Sequence, residues 1–167
     1  MEDTVPFYYQ FYKTIMEQEE NVVSFFRFED LRVYAKATNY ASWVMEQLSS
    51  PRNDAERVLM KSFCRSANDI ALNIAEGSSR SKSQFDHYLK IAKTAIRECV
   101  VYTEVAHKTG YLADGQFEQS REYLMELTRM LGALIISLQR SAERRAIRDE
   151  DEAETETDNF SPDPLAY

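Results

Sequence analysis

The sequence predicts an all-α protein. The expected form is an antiparallel up-down-up-down four-helix bundle, with an N-terminal arm or short helix and a disordered acidic C-terminal tail. Three observations predict it. The 167 residues hold only four Gly and four Pro, two of the Pro within the last six residues, so breakers are too sparse for frequent turns. Apolar residues recur at three-four spacing over four separate segments. No segment alternates with the period of two that a half-buried strand needs, and no internal repeat is present. The length suits one domain: residues 1–26 as the arm, 27–148 as the bundle, 149–167 as the tail.

The arm contains the aromatic run "VPFYYQFYKTIMEQ", read as a short helix or as a segment laid on the bundle. The first long helix is expected over 28–50 and ends at Pro51, since the residue before a proline avoids the α region. Leu31, Tyr34, Ala35, Thr38, Ser42, Met45 and Leu48 form one face at helical spacing. Val33, Ala37, Tyr40 and Val44 form a second. A helix apolar on two sides has two partners, so the first face is assigned to the core. The second is assigned to the arm or to another subunit, making Val33, Ala37, Tyr40 and Val44 candidates for an oligomer interface.

The second helix opens at Asn53 with Glu56 three residues on, a variant of the capping box. It runs to Glu76, and Gly77 suits the left-handed position just past a helix end. The third opens at Ser83 with Asp86 three residues later. Its stripe is Phe85, Tyr88, Leu89, Ala92, Ala95, Ile96, Cys99, Tyr102 and Ala106, and Gly110 follows it. The fourth opens near Asp114 and carries Phe117, Leu124, Leu127, Leu131, Leu134 and Leu138, fading near Arg148. Gly132 in its middle costs up to about 1 kcal/mol against Ala, which suits a site where a neighbouring backbone comes close. Connections of a few residues force consecutive helices antiparallel.

The net charge of −8 divides unevenly along the chain. Residues 1–26 hold five acids and one Lys, net −4; residues 27–148 hold nineteen Lys+Arg against fifteen Asp+Glu, net +4; residues 149–167 hold eight acids and no base. The expected bundle is therefore mildly basic, and the acidic block reads as a solvated tail. No apolar run follows a basic N-terminal region, and no stretch approaches the roughly 18 apolar residues of a membrane span. Cys64 and Cys99 lie within helical patterns and lack metal-ligand spacing, so they read as small buried residues in a reduced, cytoplasmic compartment.

No residues assemble into a recognisable catalytic site. A ferritin-type di-iron centre wants two Glu-x-x-His pairs and two further Glu, and only Glu104-x-x-His107 fits. No Gly-rich phosphate loop and no Gly-x-Ser-x-Gly elbow is present. Neither a cofactor nor a metal is expected. Arg65, Asn68, Asp69, Asn73 and Glu76 crowd the second helix beside Ile70, Ala71 and Ile74. They read as a pocket or, preferably, as a structural polar network that fixes helix register. Arg65–Asp69 and Asn73–Glu76 are spaced as pairs within it, and Glu98 of the third helix is counted with them.

The basic charge concentrates elsewhere. Arg80 and Lys82 occupy the joint after Gly77, and Lys90, Lys93 and Arg97 fall on one stripe of the third helix. Together they form a candidate ridge able to neutralise phosphates, with no sequence-reading motif attached.

The segments "FEDLRVYAKA", "ANDIALNIAEGSSR", "SQFDHYLKIAKTAIRE" and "AHKTGYL" resemble the four-helix-bundle family of bacterial intervening-sequence proteins, encoded within insertions in some 23S ribosomal RNA genes. The accessory variability determinant of diversity-generating retroelements looks like a relative. The resemblance spans roughly residues 27–140, most specifically Asn73-Ile74-Ala75-Glu76-Gly77 with Arg80, Phe85, Ala92 and Glu98. It implies a four-helix bundle assembled as a homopentameric ring, without enzymatic activity. It also implies partners among RNA, DNA and, for the retroelement relative, a reverse transcriptase. The chain departs from the family pattern at Lys93-Thr94, where relatives tend to have Gly-Ser, and at Asn68-Asp69. The first functional expectation is a non-enzymatic nucleic-acid-binding scaffold that does not enter membranes. The second is a protein-interaction scaffold without nucleic acid. An enzyme using the polar cluster of the second helix comes third.

Overall fold

The computed structural model describes residues 25–158, with side chains through Arg148. The expectations for the arm before residue 25, and for residues 159–167, lie outside the described residues. Four helices follow one another: α1 Arg32–Gln47, α2 Asp54–Ser78, α3 Lys82–Lys108 and α4 Asp114–Asp158. Among the described residues there is no strand. Each helix packs on its neighbours in chain order, and α4 closes on α1. Cross-helix partners descend on one helix as they rise on the other. Lys36, Tyr40, Trp43 and Gln47 of α1 meet Glu126, Ser120, Gln119 and Gln116 of α4. The bundle is therefore antiparallel, as the short connections require.

The helix starts show which local signals govern. Asn53 caps α2 as expected, its side-chain oxygen accepting from Glu56 N–H at 2.9 Å. The return bond goes one residue further back: Glu56 accepts from Arg52 N–H at 2.7 Å and from Arg52 Nε at 2.8 Å. Arg52 also donates to the Gly110 carbonyl at 3.1 Å, and Tyr111 Oη donates to the Leu48 carbonyl at 2.7 Å. These bonds tie the α1–α2 link to the α3–α4 link at one end of the bundle.

The α3 cap is Ser81 with Gln84, a reciprocal capping box, and not Ser83 with Asp86. The chain offers two serines two residues apart, each with a polar residue three on. The helix takes the earlier one, which leaves Asp86 free to bond Lys90 and Gln139. Helix α1 begins at Arg32, later than the periodicity suggests. Phe26 and Phe28 carbonyls instead close turns onto Glu29 and Leu31 N–H at 2.9 and 3.1 Å, and Phe28 packs edge-on against Tyr34 at 4.9 Å.

The Arg52 side chain, and then its backbone N–H, hold the Glu56 carboxyl below the usual carboxylate range. A carboxylate depressed in the folded state contributes stability above its unfolded pKa of about 4.3 and loses it as pH falls through the folded value. Glu56→Gln should therefore lower stability at neutral pH and flatten the acid limb of a denaturation series taken down to about pH 2. Identical acid limbs in the two proteins would rule this linkage out.

The core runs the length of the bundle through Tyr40, Val44, Phe63, Ile70, Ile74, Leu89, Leu124, Leu127 and Leu131. The second face of α1 lies in the core, joined by Leu48 of the first, with Leu31 and Tyr34 packed at its edge. Val33, Ala37, Tyr40 and Val44 are buried within the chain, so they are not an oligomer interface. It is Ala35, Ser42 and Met45 that face outward. The physical reason is size: the Tyr40 side that also carries Trp43 fills the space against α3 and α4, where Thr38 and Ser42 would leave voids. Tyr40 Oη pairs with Ser120 Oγ at 3.0 Å, and Ser120 Oγ with Thr103 Oγ1 at 2.7 Å. These three buried hydroxyls satisfy one another, as buried polar groups must. Burial, and then the neighbouring Cys99 thiol, push the Tyr40 phenol well above its ordinary pKa. Burial also raises the Cys99 thiol, which fits the reading of Cys99 as a core residue.

Gly77 does not terminate α2. The helix continues to Ser78, and Gly110 is the described glycine at positive φ, +69°. A Cβ on Gly77 would lie 2.6 Å from Tyr88 Cβ and 2.8 Å from Phe85 Cδ2. The glycine is there because α3 turns back against it. Gly132, in contrast, has nothing within 4 Å of where a Cβ would stand, so among the described residues no neighbouring backbone approaches it.

Helix α4 is far longer than its neighbours, 45 residues against 27 for α3, or roughly 68 Å against 40 Å at 1.5 Å per residue. Gln139 meets Asp86 near the start of α3 and Ala142 lies against Lys82 and Ser83, so α4 beyond that turn overhangs the α2–α3 joint. Backbone that composition assigns to the disordered tail, residues 149–158, continues this helix. Glu and Ala are good helix formers, and charge composition alone does not weigh that propensity.

Candidate nucleic-acid interface

The joint and the third helix place the predicted ridge on the surface. Arg80, Lys82, Lys90 and Arg97 are exposed and Lys93 is half-buried. Opposite the core stripe of α3, the stripe Lys90, Lys93, Arg97 is a continuous outer face. Two of the five cations are already paired: Arg80 grips Glu76 through Nε at 2.9 Å and through a second guanidinium nitrogen, and Lys90 pairs with Asp86. Both are exposed i,i+4 pairs, worth well under about 1 kcal/mol, so a phosphate can displace either carboxylate at little cost.

The fold adds cations that a helix-by-helix reading misses. Lys82, Ser83 and Asp86 line a shallow recess with Leu138, Gln139 and Ala142 of α4. The following turns of α4 carry Arg140, Arg144 and Arg145, all exposed. Arg145 lies about 60° round the helix from Ala142, on the recess side, whereas Arg140 and Arg144 lie about 160° from it on the far side of α4, so Arg145 is the one of the three that extends the basic charge of the joint into a basic end of the bundle. The signal is present in the sequence within the run from Arg140 to Arg148, but that Arg145 comes to the side of α4 that meets Lys82 is a property of the fold. The backbone of residues 149–158 continues the same helix axis beyond the basic end.

The predicted polar network separates into local pairs. Arg65 lies 4.0 Å from Asp69 with 85% of its side chain exposed, Asn73 donates to the Asp69 carbonyl at 2.7 Å, and Glu76 belongs to Arg80. Asn73 and Glu76 do not pair. Glu98 is the one member that crosses helices, accepting from the buried Ser66 hydroxyl at 2.7 Å. Their helical spacing puts these residues on an outer face, and polar groups there find partners within one turn. Glu104 and His107 are likewise spent separately: Glu104 pairs with Lys108 at 3.2 Å, and His107 bonds Asp114 at 2.8 Å while stacking on Phe117 at 4.3 Å. Among the described residues no three His, Cys, Asp or Glu side chains gather as a metal site, and no helix is long and apolar enough to cross a membrane.

An antiparallel four-helix bundle with its polar chemistry spread over outer faces defines a small all-α surface module. The chain belongs to the 23S rRNA-intervening sequence protein family, whose model matches residues 29–133. A crystal structure of a protein of unknown function from the S23 ribosomal protein family of Bacteroides thetaiotaomicron VPI-5482 is similar, with a TM-score of 0.58 and 25% identity. The match covers 62% of this chain and 94% of that one. No curated protein matches the chain.

Proposed function

We propose that the protein is a non-enzymatic, oligomeric scaffold that binds structured RNA or DNA in the cytoplasm, alone or with a nucleic-acid-processing partner such as a reverse transcriptase. The observation that carries this reading is the basic end, where Lys82 of the joint meets α4 within a turn of Arg145 and Arg80 precedes it by two residues, continued by Lys93 and Arg97 along α3. Such a surface neutralises backbone phosphates and reads shape and charge, not base sequence. A homo-oligomer, pentameric as the family resemblance implies, would repeat the patch around a ring and raise avidity without new contacts. Val58 and Leu72, exposed on α2, offer apolar surface for such an assembly.

The test is a gel-shift series in rising salt with a structured RNA, comparing wild type with Arg80→Glu/Lys82→Glu/Lys93→Glu/Arg145→Glu. Wild-type affinity should fall steeply with salt. The variant should bind at least about tenfold more weakly near 100 mM salt, with a shallower salt slope. Equal affinities would remove the basic end as the interface.

A further inference from the structure

Two recesses lie on the outer seam between α3 and α4. The first is at the joint, where Lys82 and Asp86 meet Gln139. The second is a groove of about 330 Å³ lined by Val100, Arg121, Leu124, Met125, Thr128 and Arg129. Asp86, Lys93 and Val100 are spaced by seven and share one stripe of α3. Both ends of that stripe meet α4, Asp86 at Gln139 and Val100 in the groove. Lys93 lies midway and comes level, in the antiparallel register, with about Gly132. An added Cβ at Gly132 would find nothing within 4 Å, so even a methyl there leaves the furrow open between the two recesses. Arg97, one turn before Val100, comes level with about Thr128.

The furrow is basic along its length. From the joint it passes Lys82, Lys93, Arg97, Arg129 and Arg121, roughly 32 Å along the helices. Arg97, Arg121 and Arg129 make no ion pair among the described residues. The carboxylates on this side of α3, Asp86 and Glu104, are taken by Lys90 and Lys108. The half away from the joint also has an apolar floor of Val100, Leu124 and Met125, with Met125 47% exposed.

That combination selects the form of nucleic acid. Phosphates are held by the cations and gain nothing from an apolar floor. Unpaired bases do gain from it, because their faces are aromatic and a thioether packs well on such a face. A basic groove that tracks a backbone while its floor receives bases is the general design of a single-strand site. A duplex turns its phosphates outward, and its major groove alone is about 12 Å wide, against roughly 8–10 Å between the axes of two packed helices.

We propose that an unpaired strand of nucleic acid lies along the α3–α4 furrow, its phosphates on Arg97, Arg121 and Arg129 and its bases on Val100 and Met125. This rests on the nucleic-acid reading above and specifies what is bound: a loop or free end that enters from the basic end. At about 3.4 Å per stacked nucleotide the furrow holds about nine, within the roughly 4–16 that such grooves take.

The test uses an unstructured RNA of about ten nucleotides, alone or annealed to its complement, with binding followed by fluorescence anisotropy. Wild type should bind the single strand at least about fivefold more tightly than the duplex. Arg121→Gln/Arg129→Gln, and independently Met125→Glu, should lose that preference with duplex affinity and helix content by circular dichroism unchanged. Met45, 45% exposed on the outer face of α1, is a matched control for Met125. Saturating single strand should slow peroxide oxidation of Met125 several-fold, read by peptide mass spectrometry, and leave Met45 unaffected. Equal binding of the two forms, or an unprotected Met125 in the saturated complex, overturns the furrow and leaves the basic end standing. Binding of neither form removes the nucleic-acid reading and this proposal together. Slow oxidation of Met125 before RNA is added, lost on dilution, would give the groove to a second copy and overturns the proposal too.

Discussion

Tyr40→Ala should destabilise the protein by about 3–5 kcal/mol, the cost of deleting a large buried aromatic side chain that its surroundings cannot replace. Tyr40 is fully buried, lies 6.1 Å from Trp43 and 5.6 Å from Tyr123 by ring centroid, and ends on the Ser120–Thr103 hydroxyl pair. The loss therefore combines a cavity between α1, α3 and α4 with a buried hydroxyl partner removed. Tyr40→Phe separates the two. It keeps the ring and leaves Ser120 bonded to Thr103, so it should cost only about 1 kcal/mol. Urea denaturation of the three proteins measures both differences. The same variants decide whether Tyr40 belongs to the core or to a contact between subunits. Assembly mass by light scattering should be the same for wild type and Tyr40→Phe. A Tyr40→Phe protein that kept its stability but lost its assembly would overturn the core assignment.

What the sequence discloses depends on the range over which each cause acts. The Asn53 cap is legible because a cap acts over three residues. The α3 start is not, because Ser81 and Ser83 satisfy the same three-residue rule, and only the partners of Asp86 on α4 break the tie. Four helices and their antiparallel order follow from periodicity and short connections, both local. The two faces of α1 cannot be ranked by apolar count. Bulk is the usable signal, since the Tyr40, Trp43 and Val44 side fills space and the Thr38 and Ser42 side does not.

The candidate interface shows the same division. Arg80, Lys82, Lys90, Lys93 and Arg97 can be placed on an outer surface from spacing alone. That Arg145 joins the basic end while Arg140 and Arg144 face away from it needs the register of α4 against α3, which no local pattern encodes. The polar cluster of α2 reads as one network because its members are close in sequence. On a helix, closeness in sequence also lets each side chain find a partner within its own turn, as Arg65–Asp69 and Glu76–Arg80 do. Ser66, which binds Glu98 across helices, has no signal beyond being a small polar residue on an apolar face.

Two glycines in helices should respond to alanine with opposite signs, and Gly77 carries the larger effect. Alanine favours a helix interior over glycine by up to about 1 kcal/mol. At Gly132 nothing within 4 Å opposes the added methyl, so Gly132→Ala should gain about that much. At Gly77 the methyl would sit 2.6 Å from Tyr88 Cβ, an atom fixed to the α3 backbone that no rotamer change can move aside. Helix α3 must shift, and overpacking of this kind costs about 1–3 kcal/mol. Gly77→Ala should then be net destabilising by about 1–2 kcal/mol, and Gly77→Leu by about 3 kcal/mol or more, because Phe85 at 2.8 Å blocks the longer side chain as well. The consequence reaches the surface, since the Gly77 contact sets where the joint carrying Arg80 and Lys82 lies relative to α4. On the proposed function, Gly77→Ala should weaken RNA binding under conditions where the protein remains folded, whereas Gly132→Ala should leave it unchanged. If Gly77→Ala proved as stabilising as Gly132→Ala, the close approach of α3 would be wrong, and with it the physical reason for the position of the basic end.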